Sequence, residues 1–270
     1  MNRPIGVFDS GIGGLTVVKS LKQELPNESI VYFGDTARVP YGSKSKDIIR
    51  RYAIESARFL MQYDIKFMVV ACNTTSAVAL ESIREFYHNP VVGMIHPGAV
   101  YAAETSRNKN IGIIGTKATI SSNSYSHEIS YIDSSIKVYS KACPLFVPLV
   151  EECMIQGDIV DRIAHYYLDS LVEQGIDTLV MGCTHYPLLF DAIRNCVGPE
   201  INLIDSGYAA ARSVKKILNE MNLTNKTGIQ PIYKFYVSDA VQDFSRNASF
   251  FLGHEMKNIE KIDLEDRVRI

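Results

Sequence analysis

Ile5-Gly6-Val7-Phe8-Asp9-Ser10-Gly11-Ile12-Gly13-Gly14 is a short apolar run that stops on a carboxylate, a hydroxyl and a cluster of glycines. Bounded so sharply by turn residues, the run reads as a buried strand, and Leu15 to Leu25 beyond it reads as a helix. The pattern returns at Ile111-Gly112-Ile113-Ile114-Gly115-Thr116. A second pair accompanies it, Val70-Ala71-Cys72-Asn73-Thr74 and Met181-Gly182-Cys183-Thr184-His185. Asp9 precedes Cys72 by 63 positions, and Gly115 precedes Cys183 by 68. Strand, turn, intervening unit, strand and cysteine at matched spacing predict two similar α/β halves facing one another, each supplying one thiol.

Outward from these motifs, short apolar runs alternate with helical patterns almost from end to end, which is the signature of a mainly parallel sheet. Strands are predicted at Ile5 to Phe8, Ile30 to Phe33, Phe67 to Ala71, Val91 to Ile95, Ile111 to Ile114, Ile136 to Tyr139, Thr178 to Met181 and Ile201 to Ile204. Most are apolar throughout, as strands covered on both faces are. Helices are predicted over Ile48 to Tyr63, where Ile49, Tyr52, Phe59 and Tyr63 recur at helical spacing, and over Asp158 to Gln174, ended by Gly175. The fold class is therefore α/β.

Composition excludes several partner classes. The 270 residues carry 28 basic and 30 acidic side chains, a net charge of -2 without the signature of a nucleic-acid binder. No apolar run approaches the roughly 20 residues of a membrane span. The first residues form neither a basic leader nor a signal segment, which predicts a cytoplasmic protein. Five cysteines, Cys72, Cys143, Cys153, Cys183 and Cys196, fit neither a disulfide framework nor a metal knuckle. Cys143, Cys153 and Cys196 read as core or incidental, and His88, His96, His127, His165 and His254 show no metal-ligand spacing.

The turn from Asp9 to Gly14 sits where open α/β sheets bind ligands, so it suits a carboxylate or phosphate, or else a tight turn capped by Asp9 or Ser10. It lacks the third glycine of a dinucleotide fingerprint and the lysine of a phosphate loop. Cys72 and Cys183 each end an apolar strand and are followed by hydrogen-bonding residues. A helix N-terminus or a nearby cation there lowers a thiol pKa and makes the sulfur a usable base. His185 is positioned to orient or protonate the second thiol. Glu151-Glu152 reads as a solvated helix start. Gly34 to Gly42 forms a polar loop suited to a lid or binding wall, with Arg38 as its anion candidate.

Asp9 to Gly14, Pro40-Tyr41-Gly42, Ala71 to Thr74, Gly115-Thr116-Lys117-Ala118-Thr119 and Gly182 to Pro187 together resemble the bacterial glutamate racemases, in order and spacing along essentially the whole chain. The resemblance implies a cofactor-independent, metal-free enzyme supplying D-glutamate for peptidoglycan. It implies residues 1–96 joined by 207–270 as one domain, 97–206 as the other, and an active site between them. By resemblance, Cys72 takes the α-proton from D-glutamate and Cys183 from L-glutamate, with Asp9, His185 and Glu151 assisting; Glu152 leaves the last assignment ambiguous by one position. Ser10, Asn73, Thr74 and Thr184 would bind substrate, and Tyr41, Gly42, Thr116 and Thr119 would line or close the pocket. An N-terminal extension through which some members are activated is not expected, because the first strand begins by Ile5. Glutamate is the implied small-molecule partner, and a homodimer is compatible with the sequence, which does not identify the pairing patch. An aspartate racemase of the same family is the near alternative. A metal-binding or redox module built from Cys72, Cys183, His185 and Asp9 is the alternative from a different class.

Overall fold

The structure, a computed structural model, describes residues 3–253, 256 and 258–264. His254 of the sequence reading, and the ends of the residue range assigned to the first domain, lie outside the described residues. Among the described residues, ten strands form two wholly parallel sheets. The first sheet contains β1 (Ile5–Asp9), β2 (Ile30–Gly34), β3 (Phe67–Val70) and β4 (Val91–Val92). The second contains β5 (Asn110–Gly115), β6 (Lys137–Ala142), β7 (Thr178–Gly182) and β8 (Asn202–Asp205). β9 (Tyr233–Val237) and β10 (Ile259–Lys261) return to the first sheet.

The spatial orders are β10-β9-β2-β1-β3-β4 and β6-β5-β7-β8. Without β9 and β10, each sheet runs second, first, third, fourth, so the repeat read from the sequence is a repeat of topology. In this order the winding reverses between first and third strands, and ligands of such sheets bind beyond the carboxyl ends at that point. Cys72 follows β3 and Cys183 follows β7, so both thiols stand at a reversal point.

Helices α1 (Leu15–Glu24), α2 (Lys46–Met61), α3 (Asn73–Arg84) and α4 (Ile95–Thr105) follow the first four strands. α5 (Lys117–Ser121), α6 (Ser124–Ile132), α7 (Phe146–Glu151), α8 (Asp158–Val172) and α9 (Phe190–Val197) belong to the second repeat. α10 (Ser206–Glu220) and α11 (Val241–Leu252) complete the set. Local chemistry fixes several starts. Ser45 accepts from the N–H of Ile48 at the head of α2, and Asp205 accepts from Gly207 and Tyr208 at the head of α10. α8 is left through Gly175, whose φ of +68° suits glycine.

Alternate residues of each strand enter different cores. Ile5 and Val7 of β1 pack in a cluster that continues into the second sheet through Ile114, Leu179 and Met181, whereas Phe8, Met68 and Val70 face a second cluster behind α2 and α3. Ile111, Ile113 and Val180 face a third behind α4 and α6. One apolar core thus joins the two sheets and fixes how their carboxyl ends meet.

Three sequence expectations change. The predicted strand from Val91 to Ile95 is only two residues long, because Gly93 interrupts it and Ile95 already begins α4. β9 and β10 were not predicted. β9 mixes Lys234 and a half-buried Tyr233 into its apolar run, and these two residues lie beyond the short neighbouring strand β10.

The segment leading to β9 is tied down by a buried ion pair. Lys66 Nζ lies 2.6 Å from Glu28 Oε2 and donates to the carbonyl of Leu223, while Asn225 N–H donates to Glu28 Oε1. Both side chains are only 3% exposed, so removing one leaves the other charge buried and unpaired. Lys66→Ala is expected to cost about 3–5 kcal/mol in chemical denaturation. A loss below about 1 kcal/mol would contradict this account of the anchor.

Candidate active site

A cavity of about 370 Å³ opens between the carboxyl ends of the two sheets, and Cys72 and Cys183 both line it. Ser10, Tyr41, Gly42, Asn73 and Thr74 line it from the first half, and Thr116, Glu151, Thr184 and His185 from the second. A larger cavity of about 500 Å³ lies on the far side of Glu151, walled by Glu152, Cys153, Asp243 and Arg246. Neither Cys72 nor Cys183 lines this larger cavity.

The two halves fit closely here because glycines stand where they touch. A Cβ on Gly13 would fall 2.6 Å from His185 Nδ1, and one on Gly42 would fall 2.8 Å from the Cβ of Thr116. Thr16 Oγ1 donates across the divide to the carbonyl of Thr184, at 2.9 Å. The glycines of the first motif therefore admit the Thr184-His185 turn of the other half against the backbone.

Cys72 is 6% exposed and caps α3, whose first N–H groups point at the cavity. The sequence led us to expect a lowered thiol pKa there. Instead, burial, followed by the neighbouring Asp9 carboxylate, pushes the Cys72 thiol up to about 11, against the opposing pull of Ser10 and Thr75. Thr75, to which the sequence assigns no role of its own, thus lies near the sulfur with its buried Oγ1 unpartnered among the described residues; its place three residues along the same motif is the available signal. Asp9 is fully buried and does not line the cavity. Its Oδ2 accepts from Gly11 N–H at 3.0 Å, while Oδ1 has no hydrogen-bond partner. Burial raises the Asp9 pKa, against the pull of His185.

Cys183 is likewise 6% exposed, but its neighbours differ. His185 Nδ1 lies 3.8 Å from the Cys183 sulfur, and Nε2 lies 3.2 Å from Glu151 Oε1. Of the two adjacent glutamates, Glu151 meets His185 and lines the cavity, whereas Glu152 lines only the other cavity. Burial alone would lower the His185 pKa, but hydrogen bonds with Cys183 and Glu151 outweigh it and hold it at about 10. Phe251 of α11 meets the imidazole edge-on at 5.9 Å, and Asn247 on the same helix donates to the Glu151 carbonyl.

The polar wall is built by cross-pairing. Thr74 Oγ1 lies 2.8 Å from Thr116 Oγ1 and 3.3 Å from Thr119 Oγ1, linking the two halves. Thr119 stands behind this wall and does not line the cavity. The Asn73 amide donates to Ser206 and accepts from Tyr125, so Asn73 offers the cavity mainly its backbone N–H. Arg38 is taken by Asp35 and Glu55 and lies over the Tyr52 ring at 4.0 Å, away from the cavity. Tyr41 is buried and donates to Asp35, presenting its ring to the cavity.

A raised histidine pKa ties stability to pH. Below pH of about 6.5 His185 is protonated folded or unfolded, and its stabilising contribution is fully present; between that value and about 10 only the folded state holds the proton. Stability is therefore expected to fall as pH rises through this window, by less in His185→Gln. Equal slopes for the two proteins in denaturation at stepped pH would contradict the assignment.

Comparison with known proteins places this geometry. Residues 5–214 match the model of the Asp/Glu/hydantoin racemase family. A glutamate racemase of Geobacter metallireducens is 46% identical over 97% of either chain. The crystal structure of a Francisella tularensis glutamate racemase in complex with D-glutamate superposes with a TM-score of 0.92, at 41% identity over 98% of this chain and 99% of that one. Isoform RacE1 of Bacillus anthracis, also a glutamate racemase, gives 0.94 at 37% identity over 97% of each chain. With both sheets and nearly the full length matched, the chain belongs to the Asp/Glu/hydantoin racemase family.

Proposed function

We propose that the protein is a glutamate racemase that interconverts L- and D-glutamate by passing protons between the substrate and two thiols. The observation that carries this reading is that Cys72 and Cys183 line one small cavity from opposite halves of the repeat. Inverting a stereocentre without turning the substrate over requires one group to remove the α-proton from one face and another to deliver a proton to the opposite face. One sulfur must begin as thiolate and its counterpart as thiol.

The surroundings of the two sulfurs suit that division. Burial and Asp9 keep the Cys72 proton in place, while the His185 side chain, backed by Glu151, puts positive charge beside the Cys183 sulfur. From L-glutamate, the Cys183 thiolate takes the Cα proton and the bonding pair passes into the α-carboxylate as an enolate-like dianion. Cys72 then gives its proton to the opposite face, leaving Cys72 as thiolate and Cys183 as thiol. The reverse reaction starts from that state. Return to the L-reactive state requires Cys72 to regain a proton and Cys183 to lose one, an exchange with solvent beside the Asp9 carboxylate and the His185–Glu151 pair.

The dianion is the costly species. The first-turn N–H groups of α3, with Ser10 and Thr184, bind the substrate carboxylates in this cavity. The domains are residues 1–96 with 207–270 and residues 97–206, which meet in part where α4 and α10 pack together. The enzyme works in the cytoplasm and supplies D-glutamate for peptidoglycan. No helix among the described residues is long and apolar enough to cross a membrane.

In heavy water, the protein is expected to convert either glutamate enantiomer into the other with deuterium at Cα, and to turn over aspartate far more slowly. Cys72→Ala and Cys183→Ala should each lower racemisation by about 10⁴-fold or more. Full activity in either variant contradicts the two-thiol assignment. Gly13→Ala drives a methyl into the His185 turn and is expected to lower kcat by about 100-fold while the protein stays folded. An unchanged kcat would show that the close approach of the halves does not position the imidazole.

A further inference from the structure

A second group of ligand-bearing side chains meets on the outer face of the second half, away from the cleft. His165 and Asp169 stand one turn apart on α8, and Cys196 reaches them from the neighbouring α9. Sequence spacing does not reveal this group, because the cysteine comes from a separate helix and the spacing matches no knuckle. The Cys196 sulfur lies 3.5 Å from His165 Nδ1 and 3.8 Å from Asp169 Oδ1, and those two atoms are 2.8 Å apart. Among the described residues, these side chains hydrogen-bond only with one another.

Those separations have a meaning for a metal. A tetrahedral zinc ion with bonds of about 2.3 Å to sulfur and about 2.0 Å to nitrogen and oxygen sets S···N and S···O separations of about 3.5 Å and N···O of about 3.3 Å. The observed triangle departs from these edges by about half an ångström at most. The largest departure is the His165–Asp169 pair, which a shared proton draws together and a metal would open.

We propose that His165, Asp169 and Cys196 form a binding site for a zinc-like divalent cation, with water in the fourth position, that staples α9 to α8. Thiolate sulfur, imidazole nitrogen and carboxylate oxygen are a zinc donor set, and the two anionic ligands balance the charge of the ion. Asp161, one turn before His165 on α8, adds negative potential at the Cys196 sulfur. Binding releases the Cys196 proton to solvent, while the His165 proton moves to Nε2 and its Nδ1 lone pair becomes the ligand. His165 and Asp169 are more than half exposed, which leaves an entry path and room for the water.

The test uses full-length protein stripped with a chelator, then titrated with Zn²⁺ and, separately, Co²⁺. One equivalent of Zn²⁺ is expected to bind and raise Tm, and Co²⁺ is expected to give a thiolate-to-metal charge-transfer band. Cys196→Ser should abolish the band and the Tm rise, and His165→Ala should weaken Zn²⁺ by about 100-fold. Asp161→Asn should weaken it by about 10-fold. The Cys72→Ser/Cys183→Ser variant should keep both the band and the Tm rise. Absence of Zn²⁺ uptake, a band that survives Cys196→Ser, or a band lost with Cys72 and Cys183 would overturn the proposal.

Discussion

The structure depends on a steric constraint: two parallel sheets of the same winding must bring their carboxyl ends together so closely that a single small cavity belongs to both. Third strands β3 and β7 end in cysteines at that meeting point, and the shared core beneath them, from Ile5 and Val7 through Ile114 to Met181, holds the sheets in register. The tolerance is small. Gly13 and Gly42 leave no room for a methyl where the other half approaches, and the Thr74–Thr116 and Thr16–Thr184 contacts cross the divide. Where such a cavity is filled by substrate, each fixed N–H group has more electrostatic leverage than it has in water, which a carbanion-like species requires.

The repeat supplies two equivalent positions and the surrounding side chains make them unequal. Asp9 stands behind Cys72 as an anion that disfavours thiolate, whereas His185 and Glu151 stand behind Cys183 as a polarised pair. Asp9 and His185 also attract one another across the divide, so the two sulfurs are not electrically independent. Relaying a proton between opposite faces of one carbon needs this asymmetry, since two sulfurs in the same protonation state could not do it in one passage. α11, which returns from the first half, closes the assembly by setting Phe251 against the imidazole and Asn247 against the Glu151 backbone.

The sequence carried the strand ends clearly, because strands buried on both faces read as unbroken apolar runs and the cysteines mark where they stop. It therefore exposed the repeat, the two thiols and the glycine turn. What it concealed depends on three-dimensional neighbours. Glu151 and Glu152 differ by one position, and only the approach of His185 separates them. Arg38 reads as an anion site until Asp35 and Glu55 are seen to occupy its guanidinium. Thr119 belongs to the right motif but points one layer behind the cavity, at Thr74 and Thr116. The thiol of Cys72 sits at a helix N-terminus, as its motif suggests, yet burial and Asp9 outweigh the helix. β9 is hidden because its first two residues, Tyr233 and Lys234, lie beyond the short edge strand β10 and break the apolar run.

The account stands or falls on the positions of two sulfurs relative to one carbon. A crystal structure of the protein with D-glutamate tests this most directly. The account predicts Cα between Cys72 and Cys183, with each sulfur about 3–3.5 Å away on opposite faces and the carboxylates on the N–H groups at the start of α3 and on Thr184. Glutamate bound with both sulfurs on one face, or outside the cavity they share, would contradict it.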